Sequence, residues 1–263
     1  MKDVDREAGG TPALQMTDFI RDLKQYLLQM VQEGAKTVYL SSEGKESLER
    51  FLQKGGELSR RAVEQESSRA IRGGVRSLRE LEEVMRKCHK CPLGEDRLNL
   101  VFGEGNENAE VVFVGEAPGA DEDEQGRPFV GRAGQLLRKI IRAMGYEPEE
   151  VYIANILKCR PPMNRDPLPE ETERCFPYLS AQLKLIKPKV IVALGKHAAH
   201  ALLGVKTPIT KLRGNWGRFQ GIPVMPTFHP SYLLRNMGGK KEVWDDMQEV
   251  LKVLGRTPKK HGS

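Results

Sequence analysis

The sequence lacks the features that mark membrane and secreted proteins. No apolar run approaches the roughly 20 residues of a membrane-spanning helix, and the start, MKDVDREAGGTPAL, contains no apolar core of a signal peptide. With 39% hydrophobic and 30% charged residues, the chain is typical of a globular protein with a solvated surface. In such a chain, four cysteines argue against disulfides and for a metal or redox site. We therefore expect a cytoplasmic monomer without a membrane partner.

A large excess of either charge is also missing, but the small excess is unevenly placed. Residues 1–75 carry 12 Lys+Arg and 12 Asp+Glu, whereas the remaining residues carry 30 and 24, so the net charge of +6 lies after residue 75. A basic excess confined to one region favours a polyanionic partner. Many cytosolic proteins are mildly basic, and an ordinary solvated surface is the alternative.

Residues 1–75 contain no motif that carries chemistry. An apolar stripe at helical spacing predicts a helix from Thr17 to about Glu33, which Gly34 would end. A polar, Arg-rich stretch with paired glycines follows and is typical of a linker. We interpret residues 1–75 as an extension for tethering or interaction, residues 76–256 as the principal domain and residues 257–263 as a tail.

Apolar runs alternate with helical patterns throughout the principal domain. Strands are predicted at 111–115, 151–157, 190–195 and 224–228, and helices at 134–144, 169–186, 196–203 and 240–254, after a first helix from Val75. This alternation predicts an α/β fold: a three-layer α/β/α arrangement with a central, mainly parallel sheet of about four strands. Functional residues are expected on the loops after the strands.

The stretch after the first strand, GEAPGADEDEQGRPFVGRAG at 115–134, has an unusual content for a plain connection. Five glycines allow close backbone approach, five carboxylates lie within nine residues, and Phe129 has no obvious amphipathic partner. Connections of this length are usually functional. The alternative is a long, solvated loop.

The four cysteines are spaced in a way that indicates a metal site. Cys88 and Cys91 lie on a tight turn at a helix end, Cys159 follows the second strand, and Cys175 lies in a predicted helix. Four thiolates bind zinc or a cubane iron–sulfur cluster, and the wide second spacing favours the bulkier cluster. Zinc is one alternative, and buried free thiols at Cys159 or Cys175 are another.

Two later loops carry further candidates. Asn155 lies within an apolar strand, where its amide needs partners that a nucleobase edge or the backbone of a neighbouring loop would supply. His229 ends the last strand, a place that favours function over the commoner structural role. Leu233 and Leu234, beside Arg235, form either an apolar wedge with a phosphate contact or the first turn of a helix.

The motifs GEAPGADEDEQGRPFVG, ANILKCRPP and HPSYLLR, with the four spaced cysteines, resemble those of the family-4 uracil-DNA glycosylases, the bacterial and archaeal iron–sulfur type. The resemblance covers about residues 78–254, and its motifs occur in order. It implies a monofunctional enzyme that flips uracil out of single- or double-stranded DNA and hydrolyses its N-glycosidic bond. The product would be an abasic site in base-excision repair.

The resemblance also implies roles for individual residues. Phe129 would stack on the flipped uracil, and Asn155 would bind its N3–H and O4, a pairing that rejects cytosine. His229 would hydrogen-bond O2 and stabilise the anion of the leaving base. The catalytic set would be Glu116, Asn155 and His229.

Other residues would shape the pocket and bind DNA. Glu116, Ala117 and Pro118 would form the pocket wall and place the water, and Glu122 would crowd the C5 side and exclude the methyl group of thymine. The DNA contacts would come from Ser231, Leu234 and Arg235. A 4Fe–4S cluster, structural in role, would be held by Cys88, Cys91, Cys159 and Cys175.

Differences from related glycosylase types leave open which residue holds the attacking water. Family-1 enzymes carry an Asp and a Tyr where Ala117 and Gly119 stand here, so Glu116 or Asn155 holds the water, or binding energy dominates. A related type that traps its substrate covalently has Gln after the Glu of this motif and an extra basic loop. Because this chain has Ala117 and no such insertion, we expect turnover.

Two other classes of function fit parts of the sequence. One is a non-catalytic iron–sulfur protein that binds DNA or senses redox state. The other is a small-molecule α/β enzyme whose four cysteines bind zinc. Excision of uracil from an oligonucleotide separates the glycosylase from both.

Overall fold

Apolar segments form the parallel centre of a six-stranded sheet in the computed structural model, which describes residues 74–258. The helix expected near residues 17–33 lies outside this range. The strands are β1 Glu104–Gly105, β2 Val111–Gly115, β3 Tyr152–Asn155, β4 Val190–Leu194, β5 Gly217–Phe219 and β6 Ile222–Thr227. All residues of β2, β3 and β4 are buried, which is typical of parallel strands covered on both faces.

The strand order is β1-β3-β2-β4-β6-β5. The four central strands pair in parallel, and they correspond to the four strands predicted from the sequence. The two edge strands pair antiparallel with their neighbours. Both edges escaped prediction because two or three residues are too few to show a hydrophobic period.

The helices alternate with the strands. Those of the described residues are α1 Leu78–Arg86, α2 Leu93–Asp96, α3 Ala120–Gln125, α4 Arg132–Ala143, α5 Pro169–Ile186, α6 Lys196–Leu203, α7 Ile209–Leu212, α8 Pro230–Arg235 and α9 Gly239–Val253. None of the helices in this range has the length and apolarity to cross a bilayer.

Each face of the sheet carries its own hydrophobic core. Val112 and Val114 of β2 pack with residues of α1, α5 and α6 on one face. Val111 and Phe113 point the other way and pack with residues of α4, α8 and α9. The alternation follows from the two-residue period of a strand. The predicted three-layer α/β/α fold is therefore confirmed.

One local prediction needs correction, and one alternative given for the stretch after β2 is set aside. The first helix begins at Leu78 and not at Val75, because the Ser77 hydroxyl accepts a hydrogen bond from the Glu80 N–H at 3.2 Å and caps the helix there. The stretch 115–134 is not a plain solvated loop, since it contains the six-residue helix α3.

Candidate active site

The carboxyl ends of three parallel strands bring the predicted catalytic residues to one cavity. Glu116 follows β2, Asn155 ends β3 and His229 follows β6, and all three line a cavity of about 240 Å³. Phe129 lines the same cavity. This edge of the sheet is where open α/β folds bind ligands.

Asn155 carries the clearest sign of a missing ligand. Its side chain is buried, and within the described residues its Oδ1 atom has no hydrogen-bond partner. Burying an unpaired amide oxygen costs free energy unless a ligand supplies the donor. Gly115 makes room for this side chain, because a Cβ there would overlap Asn155 Oδ1 and lie 2.6 Å from Phe129 Cζ.

Phe129 forms one wall of the cavity in a constrained backbone conformation. Its φ is 53°, in the left-handed region that few non-glycine residues adopt. Gly134 permits this conformation, because a Cβ there would overlap the Phe129 carbonyl. The Phe129 ring lies 5.7 Å from the His229 ring, centroid to centroid, with 33° between their planes.

His229 is held as a neutral donor. Its Nδ1 accepts a hydrogen bond from the Ser231 N–H at 3.2 Å and lies 2.8 Å from the Ser231 hydroxyl. Burial, with a smaller effect from the charge of Arg235, lowers the pKa of His229 to about 4. A neutral imidazole whose Nδ1 accepts carries its proton on Nε2. The ring therefore has one N–H to offer to a ligand.

Glu116 lies in a charged cluster that the sequence did not reveal. Its carboxylate is 3.8 Å from His197 Nε2, which is 3.1 Å from Asp166 Oδ2. Burial raises the pKa of Glu116 above its usual value, and the nearby His197 opposes that shift. The three side chains resemble a cation-binding donor set, but Lys196, 3.6 Å from Asp166, already supplies a positive charge.

The Glu122 carboxylate binds backbone N–H groups of the cavity wall. Its Oε1 accepts hydrogen bonds from the Val130 and Gly131 N–H groups at 2.9 and 3.0 Å, and its Oε2 accepts one from the Gly119 N–H at 3.1 Å. Glu122 lines the cavity together with Ala117 and Pro118. The exclusion of thymine by Glu122 stays a prediction.

The rim formed by the loop after β3 was missed at the level of the sequence. Asn164 and Arg165 line the cavity. The Asn164 side chain accepts a hydrogen bond from Arg160 at 2.7 Å, and Arg165 forms two hydrogen bonds with the buried Glu171. The segment NRDP at 164–167 is polar and typical of a loop, but its sequence does not indicate that the loop folds back over the end of β3.

The predicted DNA-contacting residues lie on α8. Leu233 is buried in the core, whereas Leu234 is 38% exposed, so only one of the two leucines reaches solvent. Arg235 is exposed. Ser231 lines the cavity and contacts His229. The helical interpretation of this segment is confirmed, and its contact with DNA stays a prediction.

All four cysteines line a second cavity. Among the described residues around them are four cations, Lys90, Arg97, Lys158 and Arg174. Lys158 is fully buried and donates a hydrogen bond to Gln182 Oε1 at 2.6 Å, and Arg97 donates one to Cys159 Sγ at 3.3 Å. Burial raises the pKa of Cys159 to about 11 and that of Cys175 to about 12. These thiols become thiolates only with a compensating positive charge.

A family model described as the uracil DNA glycosylase superfamily matches residues 102–248. The chain belongs to the uracil-DNA glycosylase superfamily. The type-4 uracil-DNA glycosylase of Thermotoga maritima is 50% identical over 176 residues, which are 65% of this chain and 91% of that protein. The type-4 uracil-DNA glycosylase of Archaeoglobus fulgidus is 42% identical over 192 residues, 69% of this chain and 96% of that protein.

A more distant member of the superfamily gives a contrast. The type-5 uracil-DNA glycosylase of Pyrobaculum aerophilum is 36% identical over 152 residues, which are 51% of this chain and 66% of that protein. The resemblance to the type-4 group that the sequence motifs predicted is therefore confirmed.

Proposed function

We propose that this protein is a uracil-DNA glycosylase that excises uracil from DNA and leaves an abasic site for base-excision repair. One observation carries the proposal: the unpaired Oδ1 of Asn155 and the neutral ring of His229 open onto the same cavity, beside Phe129. The cavity offers an acceptor, a donor and an aromatic face, which are the groups that a flipped uracil needs.

Recognition follows from the polarity of the Asn155 amide. Its Oδ1 accepts the N3–H of uracil and its Nδ2 donates to O4. Cytosine presents an acceptor at N3 and a donor at C4, so both contacts become repulsive and two buried groups lose their partners. Phe129 stacks on the base face, a contact that is tolerant of sequence and adds affinity.

Bond cleavage follows from the state of His229. As the N-glycosidic bond breaks, negative charge develops on uracil and positive charge on the sugar. The Nε2–H of His229 donates to O2 of the departing base, where the negative charge grows. A neutral donor suits this task because it does not transfer its proton early. Glu116, at the mouth of the cavity, supplies the anion near the sugar and holds the attacking water.

DNA binds across the edge of this cavity. Ser231 contacts a phosphate, and Leu234 with Arg235 lies at the gap that the flipped nucleotide leaves in the duplex. In this proposal the protein works as a monomer in the cytoplasm. In this proposal residues 1–75 remain an extension outside the glycosylase domain.

The cysteine cavity suits a 4Fe–4S cluster held by Cys88, Cys91, Cys159 and Cys175. A single zinc ion bound by thiolates at about 2.3 Å holds their sulfurs roughly 3.8 Å apart. Within residues 74–258, which include all four cysteines, no three of these sulfurs lie within 4.8 Å of one another. The wider spacing and the four surrounding cations favour a bulky, anionic cluster. Its contribution is to brace the loops that it joins.

A uracil-containing oligonucleotide tests the proposal. The protein should generate alkali-labile abasic sites opposite guanine, while Asn155→Ala should lose most of this activity and keep the thermal unfolding of the parent. Iron and sulfide analysis should give a cluster stoichiometry. A protein that binds the DNA but releases no uracil would instead be a non-catalytic iron–sulfur protein on the same fold.

A further inference from the structure

A second groove lies next to the candidate active site. We call it the flank groove and define it by Arg132, Lys139, Leu233, Leu234, Met237 and Lys240. It lies between α4, α8 and the start of α9, has a volume of about 260 Å³, and is lined by no acidic residue. The sequence analysis gave a role in DNA binding to Leu234 of this groove but none to its three cations.

The flank groove adjoins the active-site cavity on two elements. On α4, Ala133 lines the cavity and its neighbour Arg132 lines the groove. On α8, Ser231 lines the cavity, whereas Leu234 lines the groove. The groove and the cavity are therefore neighbours along both helices.

The cations of the groove are unpaired, in contrast to others on the same helix. Within the described residues, neither Arg132 nor Lys139 of α4 takes part in an ion pair, and the same holds for Lys240 of α9. Arg138 and Arg142, also on α4, pair with Glu104 and Glu147. On α4, the two exposed cations that face the groove therefore lack the carboxylate partners that the other two cations of this helix have.

The placement of Arg132 favours an anion as its ligand. Arg132 is the first residue of α4, whose first turn contains no acidic residue, although Glu122 accepts a hydrogen bond from the Gly131 N–H just before the helix. Lys240 shares the first turn of α9 with Glu242, which already supplies a negative charge there. The amino end of a helix carries partial positive charge and disfavours cations. A bound anion reverses this disadvantage, since it interacts favourably with both the cation and the helix end.

We propose that the flank groove binds the phosphodiester backbone next to the flipped nucleotide, with Arg132, Lys139 and Lys240 contacting successive phosphates. The proposal rests on the proposed function and adds the path that the strand takes away from the cavity. The DNA backbone carries regularly spaced negative charges, which complement the three separate cations. Leu234 and Met237, exposed at the rim, would make apolar contacts with sugars and base faces.

Salt dependence tests the proposal. The double variant Lys139→Gln/Lys240→Gln removes two charges without touching the cavity. On duplex DNA the slope of log affinity against log salt concentration should become shallower by about 1.8, since each phosphate contact contributes about 0.9. The single-turnover excision rate at saturating DNA should stay within twofold of the parent. The parent must excise uracil, which keeps a failure of the proposed function distinct.

A matched control removes the same charge elsewhere. In Lys184→Gln/Lys206→Gln both substituted lysines are exposed, take part in no ion pair within the described residues, and line neither cavity nor groove. This control should keep a slope close to that of the parent. An equal loss of slope in both double variants would mean a general charge effect and overturn the proposal, as would an unchanged slope in the groove variant.

The length of the oligonucleotide locates the contact. Substrates trimmed back to the uracil on one side should abolish the difference between the parent and the groove variant, while trimming on the other side should preserve it. If the difference between the parent and the groove variant persists both when one side is trimmed and when the other side is trimmed, the groove does not bind the strand. A loss of excision rate at saturating DNA, without a change in affinity, would also contradict the proposal.

Discussion

Two cavities lie near the end of β3, and they are incomplete in opposite ways. Asn155 leaves a neutral acceptor unpaired in the active-site cavity, whereas Lys158, three residues later, places a fully buried amine in the cysteine cavity, where burial lowers its pKa to about 7. Among the described residues Lys158 has no carboxylate partner, and its Nζ donates one hydrogen bond, to Gln182. A nucleobase that binds and leaves the active-site cavity requires neutral hydrogen-bonding groups. A cofactor that stays bound in the cysteine cavity and carries negative charge would be stabilised by a buried positive charge.

The largest effect is expected from Lys158→Met, which tests whether the cysteine cavity depends on buried positive charge. If the thiolates of a bound cluster neutralise Lys158, its loss leaves their charge under-compensated in a buried site, at a cost of about 3–5 kcal/mol. We expect lower iron per protein and a reduced free energy of unfolding, measured by metal analysis and urea denaturation. Lys184→Met, on the exposed side of α5, is the control and should match the parent in both measurements.

The next effect belongs to the active-site cavity. His229→Ala removes the donor to O2 and should lower the single-turnover excision rate by about 10²–10³-fold, the usual result of losing one donor to a developing anion. The iron content should not change, because His229 lies outside the cysteine cavity. Parental kinetics would remove His229 from the mechanism, and a loss of iron would mean that the two cavities are not independent.

Phe129→Ala should have a smaller effect. Stacking of one base on an aromatic ring contributes about 1–3 kcal/mol, so kcat/KM for uracil excision should fall by roughly 5- to 150-fold. Phe129→Tyr retains the ring face and should recover most of the loss. Equal defects in both variants would indicate that Phe129 acts through the packing of its loop rather than through stacking.

The smallest effect concerns pH. Because burial raises the pKa of Glu116, excision that needs the ionised carboxylate should decline with falling pH at a value above the usual 4.5. His229 has a pKa of about 4 and stays neutral through that range. Glu116→Gln should therefore be slower near neutrality, and its remaining acid limb should move to about pH 4. An unchanged limb in this variant would assign it to another group.

The sequence predicted the centre of the molecule better than its edges. Runs such as VVFV and VIVAL indicate buried parallel strands, and the loops that follow them fall at one edge by geometry. Their place on the strands singled out Asn155 and His229, whereas the role of Glu116 came from the family resemblance. His197 occupies the equivalent place after β4, but its segment has the pattern of an ordinary helix. Arg165 was missed for a different reason, since only the tertiary structure turns its loop toward the cavity.

The three backbone N–H groups gathered by Glu122 have a consequence for substrate choice. They hold the wall that carries Phe129 in place through contacts within the folded chain, so we expect the cavity to change little in width when DNA binds. An incoming nucleotide would then enter a preformed cavity rather than one that forms around it on binding. We therefore expect bases that are too wide for this cavity to be excluded without a rearrangement of its wall.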